Sequence, residues 1–274
     1  MRHNLGAAIS AARCFAANME GSDLADFDGR ETASLAAGDG TRFNAAVRSL
    51  AFRSVTHDAA LLVEDIDALF GEREAFEEIC LELLAPAAHH LGERWKEDAI
   101  DFLDVTTGIW RLQEAMRIIA RRRSRSKKSS SPSTGAPATE RVGRALFAAM
   151  PGDQHQFAPQ MLEELFAADG WDSTTLSQPE RGELLGRIAD EAFDLVGLTL
   201  TKDSAPGPVR GLIEEIRGSS ANPDIAVMIG GRIVNLNPAI VAEVGADGTG
   251  ADARAALRTA RELVQSAKLH APMR

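Results

Sequence analysis

Asp153-Gln154-His155 places a carboxylate two residues before an imidazole. At that spacing the carboxylate can accept a hydrogen bond from one ring nitrogen and leave the other free to ligate a metal. Read singly, Asp153 also fits a helix N-cap, and a histidine after a strand fits a structural role. The same half of the chain carries three clusters of small or hydroxylated residues: Thr199-Leu200-Thr201, Gly230-Gly231 and Gly248-Thr249-Gly250. Residues of this kind suit loops where a ligand must approach the backbone closely. Neither the loop at His155 nor Gly230-Gly231 spells G-x-G-x-x-G or G-x-x-x-x-G-K-[ST], so dinucleotide and nucleoside triphosphate sites lack their fingerprints. No nucleophile–base pair is evident, and the chain is not expected to be an enzyme by itself. Its two cysteines, Cys14 and Cys80, are too few for a disulfide framework or a four-cysteine zinc site.

The elements that would position these residues alternate between short apolar strands and amphipathic helices. Strands are predicted over Val142–Met150, Trp171–Leu176, Leu195–Thr201 and Ile225–Ile229, with a short fifth over Val244–Thr249. Helices are predicted over Gln156–Ala168, Glu180–Glu191, Gly207–Arg217 and Ala251–Ala267. This order predicts a Rossmann-like (flavodoxin-like), doubly wound parallel sheet over residues 141–268. Ligands of such sheets lie over the carboxyl ends of the strands, where Asp153, His155, Thr199, Thr201, Gly230, Gly231 and Gly248 all fall.

Residues 43–122 have helical periodicity instead and predict a four-helix bundle. Ile79, Leu83, Ala87, Leu91 and Trp95 recur every four residues, and Val105, Ile109, Leu112, Met116 and Ile119 follow a near-heptad spacing. Asp101 or Asp104 suits the cap of the last helix. Arg121 to Lys128 then packs six positive charges into eight residues, and a Ser/Pro-rich stretch follows, so residues 123–140 read as a basic linker. Residues 1–42 are poorly patterned. Overall, 30 Lys and Arg against 40 Asp and Glu give a net charge of −10, which excludes a globally basic nucleic-acid coat. No apolar stretch approaches the roughly 20 residues of a membrane span, and Met1-Arg2-His3-Asn4 opens no apolar leader. A cytoplasmic location is expected.

The arrangement as a whole resembles cobalamin-binding modules, in which a helical cap precedes a Rossmann-like domain carrying D-x-H-x-x-G, an S-x-L/T strand and a Gly-Gly turn. The corresponding residues are Asp153-Gln154-His155-Gln156-Phe157-Ala158, Thr199-Leu200-Thr201 and Gly230-Gly231; Ala158 and Thr199 depart from the pattern in place of Gly and Ser. Leu91-Gly92-Glu93-Arg94-Trp95, the stretch Asp101 to Gly108, and Arg111-Leu112-Gln113 resemble the cap of the AerR/PpaA-type cobalamin-binding regulators of bacterial photosynthesis genes. The resemblance implies that His155 is the lower axial cobalt ligand and Asp153 its orienting partner. It also implies that Thr199, Thr201, Gly230, Gly231 and Gly248 line the buried nucleotide tail, and that Trp95 presses on the upper corrin face between cap and Rossmann-like domain. Light-responsive cobalamin repressors of another subgroup carry W-x(9)-E-H, whose E-H positions fall here on Val105 and Thr106; a small upper ligand, as in hydroxocobalamin, is therefore expected rather than adenosylcobalamin. The implied function is a light- or B12-responsive antirepressor of photosynthesis genes, a transcription regulator and photoreceptor acting through a DNA-binding repressor. By its charge the run Arg121–Lys128 reads either as a contact to DNA or to an acidic partner surface, or as a solvated helix end and linker. The alternative is a corrinoid shuttle for a methyltransferase system, since one fold serves both.

Overall fold

Asp101 starts the longest helix among the described residues by a reciprocal cap. Its Oδ1 accepts from Asp104 N at 2.8 Å, and Asp104 Oδ2 accepts from Asp101 N at 3.4 Å, which satisfies donors that the first helical turn leaves open. In a computed structural model, describing residues 40–71, 75–130, 141–201 and 204–270, this helix spans Phe102–Ser130. The chain divides into two units, residues 1–123 and 124–274, so the helix runs across the division. The expectations for residues 1–39 and 131–140 lie outside the described residues.

The first unit holds α1 (Gly40–Thr56), α2 (Ala59–Phe70), α3 (Phe76–Glu78), a π-helical stretch (Ile79–Leu84), α4 (Ala85–Lys96) and α5 (Phe102–Ser130). The π-helical stretch and α4 explain the four-residue spacing of the apolar stripe. A repeat of four drifts about 40° per step on a 3.6-residue helix, and a π turn absorbs part of that drift. Pro86, at the start of α4, has no N–H to donate, and the widened turn precedes it. Ile79, Leu83, Ala87 and Leu91 are buried as a result, and Trp95, one step further, is not.

The bundle closes on Gly108 and Arg111. A Cβ at Gly108 would lie 2.8 Å from Leu91 Cδ1 and 2.9 Å from Ser54 Oγ, so glycine lets α5 approach α4 and α1. Arg111 Nη1 donates to Ser54 O at 3.0 Å and also to Val55 O, serving carbonyls that the end of α1 leaves open. Leu112, Ala115, Met116 and Ile119 form the buried stripe of α5. The expected linker is corrected here: its residues up to Ser130 continue α5. Arginine and lysine are good helix formers, and cations suit a helix C-terminus. Arg122 also ties the run to α2 through Asp67 at 3.0 Å.

The second unit is a sheet of β1 (Arg144–Ala149), β2 (Asp172–Leu176), β3 (Leu195–Thr199) and β4 (Ala226–Gly230), with α6 (Phe157–Ala168), α7 (Arg181–Asp190), α8 (Pro206–Ser219), α9 (Arg232–Leu236), α10 (Ile240–Val244) and α11 (Ala253–His270). All pairings are parallel, in the order β2-β1-β3-β4. Leu146, Val196, Leu198, Val227 and Ile229 pack with residues of α7, α8 and α10 on one face. Ala145, Phe147, Leu195, Ala226 and Met228 pack with residues of α6 and α11 on the other. This is the expected doubly wound sheet.

The fifth strand is not formed. Val244 ends α10, and residues 247–248 only touch the edge of β4 through one bridge, Met228 to Gly248. Gly245, Asp247, Gly248 and Gly250 crowd the segment, and such residues have poor strand propensity. Asp247 does part of a strand's work with its side chain. Its Oδ2 accepts from Val227 N at 2.7 Å while its own N–H donates to Val227 O at 2.8 Å.

Candidate functional site

The β1–β3 junction is where the connections leave the sheet in opposite directions, the usual ligand crevice of an open parallel sheet. After β1 the chain turns through Met150-Pro151-Gly152-Asp153, closed by Asp153 N donating to Met150 O at 2.9 Å. Gly152 has φ +87°, and proline followed by glycine in left-handed space is the residue set of a type II turn. The turn delivers Asp153 to the crevice and His155 to its rim.

Asp153 does not cap α6, whose preceding residue Gln156 makes no side-chain cap bond. Its Oδ1 instead accepts from His155 N at 2.9 Å and lies 2.5 Å from His155 Nδ1. Burial pushes the Asp153 pKa up, but the His155 backbone and ring hydrogen bonds, the His155 charge and the Thr201 hydroxyl outweigh it, and the net shift is downward. An ionised carboxylate can only accept, so Nδ1 carries the hydrogen of this bond, and in a neutral ring the lone pair then lies at Nε2. The Asp153 side chain is 13% exposed and that of His155 80%; the carboxylate is sheltered and the imidazole is presented.

Beside this pair the sheet ends in a row of small residues. Ala149 is in register with Thr199, and Thr199 with Gly230. Side chains alternate along a strand, so this row shares the face of Phe147, Gly197 and Met228, one step nearer the carboxyl ends. That face is packed with residues of α6 and α11. A Cβ at Gly230 would meet nothing within 4 Å, whereas one at Gly231, with φ +111°, would lie 2.2 Å from Leu200 O. Gly230 leaves open space and Gly231 is demanded by the backbone.

Two buried oxygens belong to the loops that open α6 and α11. Gln156 Oε1 and Thr249 Oγ1 have no hydrogen-bond partner among the described residues. Unpartnered buried acceptors are costly and point to a polar ligand that satisfies them. Gly248 is placed differently: a Cβ there would lie 2.8 Å from Thr259 Cγ2 and 3.4 Å from Leu263 Cδ1, so its bareness serves the approach of α11. Seven of the expected residues therefore lie in the second unit, and six of them, Asp153, His155, Thr199, Thr201, Gly230 and Gly231, gather at the carboxyl edge. Trp95 belongs to the first unit and is 47% exposed at the end of α4. Gln156 and Thr249 lay inside quoted motifs, but only burial singles them out. Ala149 needs the strand register to be seen.

Residues 143–258 match the family model of the B12 binding domain, and residues 47–120 match a second model of the same description. The chain is a cobalamin-binding protein. The donor set suits that cofactor: the corrin ring supplies four nitrogens to cobalt, so one presented imidazole suffices as protein ligand. Among the described residues no cluster of three or more His, Cys, Asp or Glu is arranged to hold a metal unaided. The bare row, the open Gly230 and the two unpartnered oxygens fit an elongated polar tail. The structure of the Methanosarcina barkeri monomethylamine corrinoid protein is similar in fold, with TM-score 0.61 and 15% identity, over 81% of this chain and 99% of that one. A cobalamin-binding protein from Desulfitobacterium hafniense DCB-2 matches with TM-score 0.42 and 18% identity, over 79% of this chain and 98% of that one. No curated protein matches in sequence. No helix among the described residues is long and apolar enough to cross a membrane.

Proposed function

We propose that the chain is a cobalamin-responsive transcription regulator, an antirepressor that acts through a DNA-binding repressor and does no catalysis of its own. The observation that carries this reading is the Asp153–His155 pair, with Nδ1 engaged at 2.5 Å and no partner for Nε2 among the described residues. Bound cobalamin would supply a cobalt ion as an electrophilic, redox-capable centre. In this reading His155 Nε2 would hold the cobalt, and Asp153 would keep the ring in the Nδ1–H tautomer and fix its direction. Thr199, Gly230, Gln156 and Thr249 receive the tail. Thr106 and Val105 offer neither carboxylate nor imidazole, which favours a small upper ligand such as that of hydroxocobalamin.

The regulator role is supported by the cap residues. Leu91, Asp101, Asp104, Gly108 and Arg111 each hold the bundle together, by packing, capping or hydrogen bonding. The resemblance to the photosynthesis-gene regulators therefore extends over a coherent piece of structure. A second reading, a corrinoid shuttle for a methyltransferase, is favoured by the fold shared with the monomethylamine corrinoid protein over most of both chains. One experiment separates them. Affinity capture of the cobalamin-loaded chain from its native cytosol is expected to retain a DNA-binding repressor, lost when cobalamin is removed or the light regime is changed. Transfer of a methyl group from an added methyl donor through the reduced protein to a thiol acceptor would overturn the regulator reading.

A further inference from the structure

The basic residues that end α5 are helical, and only some are committed to the fold. Arg122 pairs with Asp67 at 3.0 Å, and Arg123 is half-buried. Arg121 and Arg125 are exposed and four residues apart, so they share one face of the helix about 6 Å apart along its axis. Lys127 and Lys128 follow in the next turn of the same helix. A spacing of 6 Å is close to the separation of successive phosphates on a nucleic-acid strand. From Arg121 to Lys128 the helix carries only Arg, Ser and Lys. A protein partner would want an apolar anchor, since interface centres are depleted in lysine and built on aromatic and aliphatic groups. Phosphate oxygens are instead contacted by arginine, lysine and serine.

We infer that the C-terminal turns of α5, with Arg121 and Arg125 at their centre, form a docking surface for the phosphate backbone of duplex DNA. The whole chain has a net charge of −10, which becomes −16 without the six charges of this run, so the contact is confined to this helix end, and the backbone contacts read no base sequence. Any sequence preference would then come from a partner, and this surface would add a second point of attachment. The inference rests on the helix and its charges and is independent of the cobalamin reading.

The test is fluorescence anisotropy of the full chain with a labelled duplex of arbitrary sequence, titrated at several salt concentrations. Phosphate contacts by Arg121 and Arg125 contribute roughly −1.8 to the slope of log K against log salt. The double variant R121Q/R125Q should lose that share of the slope and weaken binding about 60-fold at 0.1 M salt. Both side chains are exposed, so the variant should fold; unchanged circular dichroism checks this. R141Q, which removes an exposed arginine at the start of the second unit, is the control and should leave the slope alone. His155→Ala should bind DNA as the parent does, so a failed cobalamin reading and a failed DNA reading give different results. No binding at low salt, or an equal loss in R141Q, would each overturn the inference.

Discussion

Replacing Asp153 by alanine should cost 10- to 100-fold in hydroxocobalamin affinity, the usual consequence of deleting the group that orients a ligating histidine. That range is about 1.4 to 2.7 kcal/mol. The structure sets where in the range the loss falls. Asp153 Oδ1 accepts two hydrogen bonds from His155, at 2.9 Å from the backbone and 2.5 Å at Nδ1. Water can replace the backbone bond at this exposed rim, so its loss should cost little. The ring bond sets tautomer and direction, and a hydrogen bond to a charged acceptor is typically worth about 1.5–3 kcal/mol. With the His155 side chain 80% exposed, solvent competes for Nδ1–H as well, and the loss should fall nearer 10-fold. Asp153→Asn keeps an acceptor but loses the charge and should lie between parent and alanine variant. Equilibrium dialysis with hydroxocobalamin measures all three. Equal affinities across the series would refute the claim that Asp153 works through the ring of His155.

The two adjacent glycines should part company. Gly231→Ala meets Leu200 O at 2.2 Å from a backbone with φ +111°, and should lower stability by about 1–3 kcal/mol in urea unfolding. Gly230→Leu should leave the unfolding midpoint nearly unchanged yet reduce cobalamin retained on gel filtration; retention equal to the parent would exclude a tail beside Gly230. The helical unit should weaken on acidification. Burial, followed by the Arg94 and Arg48 charges, lowers the His90 pKa below 6.5, so its neutral form stabilises the fold fully above that value and the contribution disappears as pH falls through the lowered one. Tryptophan-detected urea unfolding at pH 7 and pH 5 should show this loss, and His90→Gln should diminish the difference.

Periodicity showed the four long helical segments and the four strands because both units bury one face of each element, and burial imposes a regular repeat. It misled at residues 244–249, where an apolar stretch reads as a strand but Gly245, Asp247, Gly248 and Gly250 leave only a bridge to β4. It also misled at Arg123–Ser130: charge without apolar spacing reads as linker, while helix propensity and the Arg122–Asp67 pair keep the helix going. The D-x-H spacing was legible because both partners sit within one turn. The row Ala149–Thr199–Gly230 was not, since register between strands far apart in the chain is a property of the folded sheet. Gly248 shows the converse, a glycine in a motif position whose neighbours, Thr259 and Leu263, give it a packing role.

Electron paramagnetic resonance of the protein loaded with cob(II)alamin reads the axial nitrogen most directly. If His155 Nε2 is bound to cobalt, labelling the protein's histidines with nitrogen-15 converts the superhyperfine triplet of an ordinary nitrogen ligand into a doublet, and His155→Ala abolishes that doublet. A triplet that persists in the labelled protein would mean that the cofactor's own base, and not this imidazole, holds the metal.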